Sequence, residues 1–138
     1  DFNYHIYGSN KYLEKNGYPK NLKDLDKHKF ITYGKGAPSP VYNPDWVLKV
    51  GAKDGGKRKS LMKVNSVYGL LLAVQSGVGL AALPDYITYN INGISKVLPE
   101  VTGKPTETHF VYPASLKNNV RLIAFRNFLF SKVNEWKF

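Results

Sequence analysis

Apolar and polar side chains alternate through Phe2-Asn3-Tyr4-His5-Ile6-Tyr7, the two-residue period of a half-buried strand. Gly8-Ser9 interrupts it. Ser9 is placed to cap a short helix over Lys11 to Asn16, and Gly17 can supply the left-handed turn that ends one. Pro19 blocks continuation, and Asn21 can cap a second short turn over Leu22 to Leu25. The β-branched and aromatic run Phe30-Ile31-Thr32-Tyr33 predicts a strand. Gly34 to Pro44 holds three prolines and two glycines and reads as loop. Trp46 to Val50 predicts another strand, Gly51 to Lys59 a basic turn, and Leu61 to Val64 a further strand.

In the second half, Asn65 and Ser66 precede a helical pattern from Val67 to Ser76, with Val67, Leu70, Leu71 and Val74 on one face. Gly77 ends it. A short apolar strand, Gly79 to Leu83, closes at Pro84, which suits the first position of a helix over Asp85 to Tyr89. Ile94 to Leu98 reads as a strand or turn, Pro99 to Pro105 as loop, and Thr108 to Tyr112 as a strand. The chain closes with a predicted helix from about Asn119 to Trp136, where Leu122, Phe125, Leu129, Val133 and Trp136 step by three and four. Strands alternating with helices give an α/β layered fold with some parallel pairing.

Composition narrows the chemistry. The 138 residues carry 43% hydrophobic side chains, too apolar for a disordered chain. There is no cysteine, which excludes disulfides, thiolate metal sites and a cysteine nucleophile and fits a reducing cytoplasm. No apolar run reaches the ~20 residues of a membrane span, and no signal-peptide pattern is visible. The net charge of +10 points to an anionic partner.

No motif builds a catalytic centre, so the expectation is a protein that is not an enzyme and needs no cofactor or metal. Gly51, Gly56, Lys57 and Arg58 come near a phosphate loop, but Arg58 stands where a Ser or Thr must bind magnesium, and a strand follows instead of a helix. Gly77-Val78-Gly79 has the letters of a dinucleotide fingerprint in reversed context, closing a helix and opening a strand. His5, His28 and His109 are far apart, with no carboxylate at ligand spacing. Lys53, Lys57, Arg58, Lys59 and Lys63, offset by Asp54, carry +4 within eleven residues, yet no recognition helix or interleaved aromatics accompany them.

Three ordered pieces resemble the effector-binding domain of LysR-type transcriptional regulators. The first runs from Gly8-Ser9-Asn10-Lys11-Tyr12-Leu13 through Asn16-Gly17-Tyr18-Pro19 to Leu22-Lys23-Asp24-Leu25 and His28. The second is Asn65-Ser66-Val67 to Ala73 followed by Gly77-Val78-Gly79-Leu80-Ala81-Ala82-Leu83-Pro84. The third joins Val97-Leu98-Pro99, Val111-Tyr112-Pro113 and Val120 to Leu129.

The resemblance implies a Rossmann-like, periplasmic-binding-protein-like regulatory subdomain II over 1–112. Residues 113–138 would be the return segment and C-terminal helix of an incomplete subdomain I, with the N-terminal winged helix-turn-helix absent from this chain. It further implies a small, often anionic effector between subdomains, self-association as a homodimer or tetramer, and DNA contact only through the missing N-terminal domain; the lack of a long apolar run adds the expectation of no membrane partner. Ligands of open α/β sheets sit beyond the carboxyl ends of strands, near helix N-termini. That rule singles out Thr32, Tyr33, Asn65, Ser66, Val67 and Pro84 as effector-binding, with simple capping an equal reading for Asn65 and Ser66. Asp85 would repel an anion and is expected to cap or to meet a cation. Loop 34–44 reads as a lid, an oligomer contact or plain connection. The terminal stripe of Phe125, Leu129 and Val133 is expected to be exposed, or covered by self-association or docking. A transporter's solute-binding protein and a basic nucleic-acid-binding module are the alternatives.

Overall fold

The computed structural model describes residues 2–34 and 45–135, and the chain divides into two compact units, Asp1–Thr106 and Glu107–Phe138. Loop 35–44 and Trp136 lie outside the described residues.

In the larger unit β1 (Tyr4–Ser9) is the middle strand of a sheet, antiparallel on one side to β4 (Ala81–Pro84) and on the other to β5 (Ile94–Thr102). Both its faces are covered, so all six residues are buried and the half-buried strand that alternation predicted is corrected. A second sheet pairs β2 (Phe30–Tyr33) with β3 (Ser60–Val64) in parallel. The sheets meet at Leu80, whose N–H donates to the Lys29 carbonyl at 2.8 Å and whose carbonyl accepts from Ile31 N–H at 2.8 Å. The carboxyl ends of β2, β3, β4 and β5 therefore share one edge.

Alternation along the strands divides the core in two. Ile6, Phe30, Leu80 and Val97 pack with Leu13, Leu25, Val47 and Leu48. Tyr7, Ile31, Tyr33, Ala81 and Leu83 pack with Leu70, Leu71 and Val74. The latter three come from α3 (Val67–Gln75), the crossover between β3 and β4. Ser9 caps α1 (Asn10–Asn16) by accepting from Tyr12 N–H, and Asn21 caps the 3₁₀ turn Leu22–Lys27, both as the sequence indicated.

Three further expectations are overturned. Trp46 to Val50 is not a strand: Trp46–Lys49 forms a single helical turn, α2, burying Val47 and Leu48. A short segment with four apolar residues in five does not distinguish a strand from one turn of buried helix, and here packing decides. Pro99 to Thr102 is strand rather than loop. His5 pairs with Thr102 while Ile6 pairs with Val97, so β5 bulges between them, with Leu98 at a φ of 48° and Pro99 where a proline is tolerated. Thr108 to Tyr112 forms no strand, because the described residues of its own unit include no strand to take its backbone hydrogen bonds.

The two glycines of Gly77-Val78-Gly79 do different jobs. Gly77 takes a φ of 74° just after α3. Gly79 has no such torsion, but a Cβ there would lie 2.5 Å from the Lys29 carbonyl oxygen at the junction of the sheets.

The smaller unit contains a 3₁₀ turn, Ala114–Leu116, and α5 (Val120–Glu135), the latter starting where Asn119 Oδ1 accepts from Arg121 and Leu122 N–H. Phe110 lies against Tyr112 and Phe125. No α5 residue is buried, and Phe125 and Val133 are exposed as expected, whereas Leu129 is half-buried. No helix among the described residues is long and apolar enough to cross a membrane.

Candidate functional site

The shared carboxyl edge of the strands is where the candidate residues gather. β2 ends at Tyr33, whose hydroxyl donates to the Asn65 carbonyl at 2.8 Å, and Gly34 N–H donates to the Val64 carbonyl at 2.9 Å. These bonds fix the start of α3 beside the end of β2. Ser66 is the N-cap, its Oγ accepting from Gly69 N–H at 3.3 Å. Asn65 and Ser66 are exposed and Val67 is half-buried. The Asn65 side chain makes no hydrogen bond among the described residues. An α-helix leaves its first N–H groups unpaired, and the aligned peptide dipoles favour negative charge there.

Tyr33, Asn65, Ser66 and Val67 thus come together. Thr32 does not join them: alternation turns it to the other face, where its hydroxyl is buried and donates to Ser60 Oγ at 2.8 Å. Pro84 ends β4 on the same edge but is fully buried, leaving little of it for a ligand.

Beyond Pro84 lies an arrangement that sequence reasoning missed. Asp85, the first residue of α4 (Asp85–Thr88), is buried, with one carboxylate oxygen 2.7 Å from His5 Nδ1 and 2.8 Å from the Tyr7 hydroxyl that donates to it. The other oxygen lies 3.4 Å from Lys96 Nζ. Asp85 does meet a cation, as expected. Burial, with the neighbouring Asp85 carboxylate, holds the Tyr7 phenol well above its usual range. The sequence did contain a signal, since His5 and Tyr7 are two apart on one strand and share a face. Their carboxylate is 80 residues from His5, beyond the reach of spacing rules. With its acceptors engaged, this cluster braces β1, β4 and β5 behind the edge. Among the described residues no group of His, Asp and Glu could hold a metal ion.

The chain matches the family model described as the LysR substrate binding domain over residues 1–133. It is 33% identical over 113 residues to a Haemophilus influenzae protein described as an uncharacterized HTH-type transcriptional regulator, which covers 79% of this chain and 38% of that protein. Its fold is similar to the regulatory domain of CrgA, a LysR-type transcriptional regulator from Neisseria meningitidis, with a TM-score of 0.69 and 23% identity. That match covers 95% of this chain and 64% of the other. It is also similar to the regulatory domain of AphB from Vibrio vulnificus, at a TM-score of 0.51 and 19% identity, over 75% of this chain and 51% of the other.

Proposed function

The chain belongs to the LysR substrate-binding domain family, and from that membership we propose that it is the effector-sensing part of a DNA-binding transcription regulator. In this reading residues 1–112, which take in the compact unit ending at Thr106, are the subdomain that contributes one wall of the effector cleft. Residues 113–138 return to a second subdomain. DNA is bound by a winged helix-turn-helix elsewhere in a longer cytoplasmic protein, which works as a homodimer or tetramer. The role is binding rather than catalysis.

The observation that carries the proposal is the α3 N-terminus, set at the carboxyl ends of β2 and β3 by the Tyr33–Asn65 bond. It offers unpaired N–H groups, the Ser66 hydroxyl and the Asn65 amide to a small anion such as a carboxylate. Binding acts as a signal only if the ligand favours one arrangement of the regulator over another. The test is a thermal-shift screen of the full-length regulator with aliphatic and aromatic carboxylates. The hit is then titrated against Asn65→Ala and Ser66→Ala. The proposal expects a stabilising carboxylate whose affinity falls by about tenfold or more in Asn65→Ala, which removes about one charge-assisted hydrogen bond. A hit that binds Asn65→Ala as tightly as the parent, or no hit, overturns it.

A further inference from the structure

The amino ends of the same strands carry a different kind of site. His28 stands just before β2 and Lys59 just before β3, and between them opens a hollow of about 470 Å³. Asp26, His28, Lys53, Lys57, Arg58 and Lys59 line it. The single carboxylate among these is already taken, because Arg58 Nε donates to Asp26 Oδ1 at 2.6 Å. The rest of the guanidinium is spent on main chain, on the carbonyls of Val50, Leu22 and Val47. Lys57 pairs with Asp45 at 2.5 Å. Lys53 and Lys59 are exposed and form no ion pair among the described residues. His28 Nδ1 is buried without a hydrogen-bond partner among them.

We propose that this hollow binds a small ligand through a diphosphate group, independently of the effector edge. With Arg58 taken by Asp26 and Lys57 by Asp45, and with Asp54 on the same turn, the ammonium groups left for a ligand are those of Lys53 and Lys59, and a diphosphate, with several negative charges across one bridging oxygen, can meet both. The turn is compact: Lys53–Gly55 is 3₁₀, Gly51 and Gly55 have positive φ, and no helix opens after Gly56. The grip is therefore that of lysine side chains, not of a helix dipole as in a nucleotide phosphate loop. A concave hollow between the 51–59 turn and the segment bearing Asp26 and His28, with no recognition helix, favours a small polyanion over duplex DNA, whose phosphates require an extended track. The two edges are separated by the length of β3, which at ~3.3 Å per residue is roughly 13 Å.

The test is calorimetric titration of the 138-residue chain with sodium diphosphate, with sulfate at matched ionic strength, and with a short DNA duplex, in about 0.05 M and about 0.15 M salt. The expected result is diphosphate bound about tenfold or more tightly than sulfate and competing with any duplex that binds. The double variant Lys53→Gln, Lys59→Gln should lose about tenfold or more, while Lys11→Gln, Lys15→Gln, with the same charge removed from α1, should bind as the parent does. Equal affinity for sulfate and diphosphate overturns the proposal. So does equal loss in both variants, which is diffuse attraction, or a duplex that diphosphate fails to displace. Circular dichroism of each variant separates lost binding from lost folding.

Discussion

His5 Nδ1 lies 2.7 Å from Asp85 Oδ1, joining the middle strand of the β4–β1–β5 sheet to the helix that follows β4. The same oxygen accepts from Tyr7. Removing the carboxylate leaves the buried His5 imidazole without its acceptor and the Tyr7 phenol with only Thr88 as a side-chain partner. Asp85→Ala should therefore cost about 2–4 kcal/mol in urea unfolding, whereas Tyr7→Phe, which takes a donor and leaves the carboxylate its other partners, should cost about 1 kcal/mol. A double-mutant cycle between the two should show coupling above about 0.5 kcal/mol.

Arg58 and Asp26 form an ion pair whose halves differ in worth. The guanidinium is buried and ties the Leu22, Val47 and Val50 carbonyls together, while the Asp26 side chain is 38% exposed. Three carbonyls lose their donor in Arg58→Ala, so the expected cost is about 2–3 kcal/mol. Asp26→Asn should cost less than about 1 kcal/mol, since solvent screens what the pair gains. Chemical denaturation of both variants checks the asymmetry.

Gly77→Ala and Gly79→Ala should differ although the residues are two apart. The first places a Cβ at a φ of 74° and should cost about 1 kcal/mol. The second drives a Cβ to 2.5 Å from a backbone carbonyl oxygen that cannot swing away, with an expected cost of about 2–3 kcal/mol. Melting midpoints measured side by side give the order.

Two groups set opposite pH limits. Burial lowers the His28 pKa below its ordinary 6.5, so the unfolded chain binds the proton first and stability falls as pH drops through about 6.5. Burial raises Tyr7 above 10.0, so its contribution is present below about pH 10 and is lost as pH rises beyond that. Urea titrations between about pH 5 and 11 should show both slopes, with His28→Gln flattening the acid one and Tyr7→Phe reducing the alkaline one, to which Tyr4, also raised by burial, contributes the remainder.

Elements whose cues are local were legible in the chain. Ser9, Asn21 and Ser66 cap the helical segments that follow them, and β2, β3 and α3 fall within a residue or two of their patterns. The edge bearing Tyr33 and Asn65 followed from one rule about strand ends. What failed depended on neighbours. Whether Trp46 to Val50 is strand or helix is settled by the core that Val47 enters, and Thr108 to Tyr112 lacks the pairing that would make it a strand. Thr32 was misplaced by one step of alternation, and Asp85's partners are set by sheet order, which no local spacing encodes.

The hydrogen bonds of the junction at Leu80 run from main chain to main chain, and that divides tolerance unequally between the residues that meet there. Lys29 gives the contact only its carbonyl, uses its N–H on the Tyr12 hydroxyl and has an exposed side chain, so nearly any residue other than proline could stand in its place. Gly79, on the other side of the same contact, has room for hydrogen and nothing larger. A saturation scan would score one position as indifferent and the other as immutable, though a single close approach accounts for both.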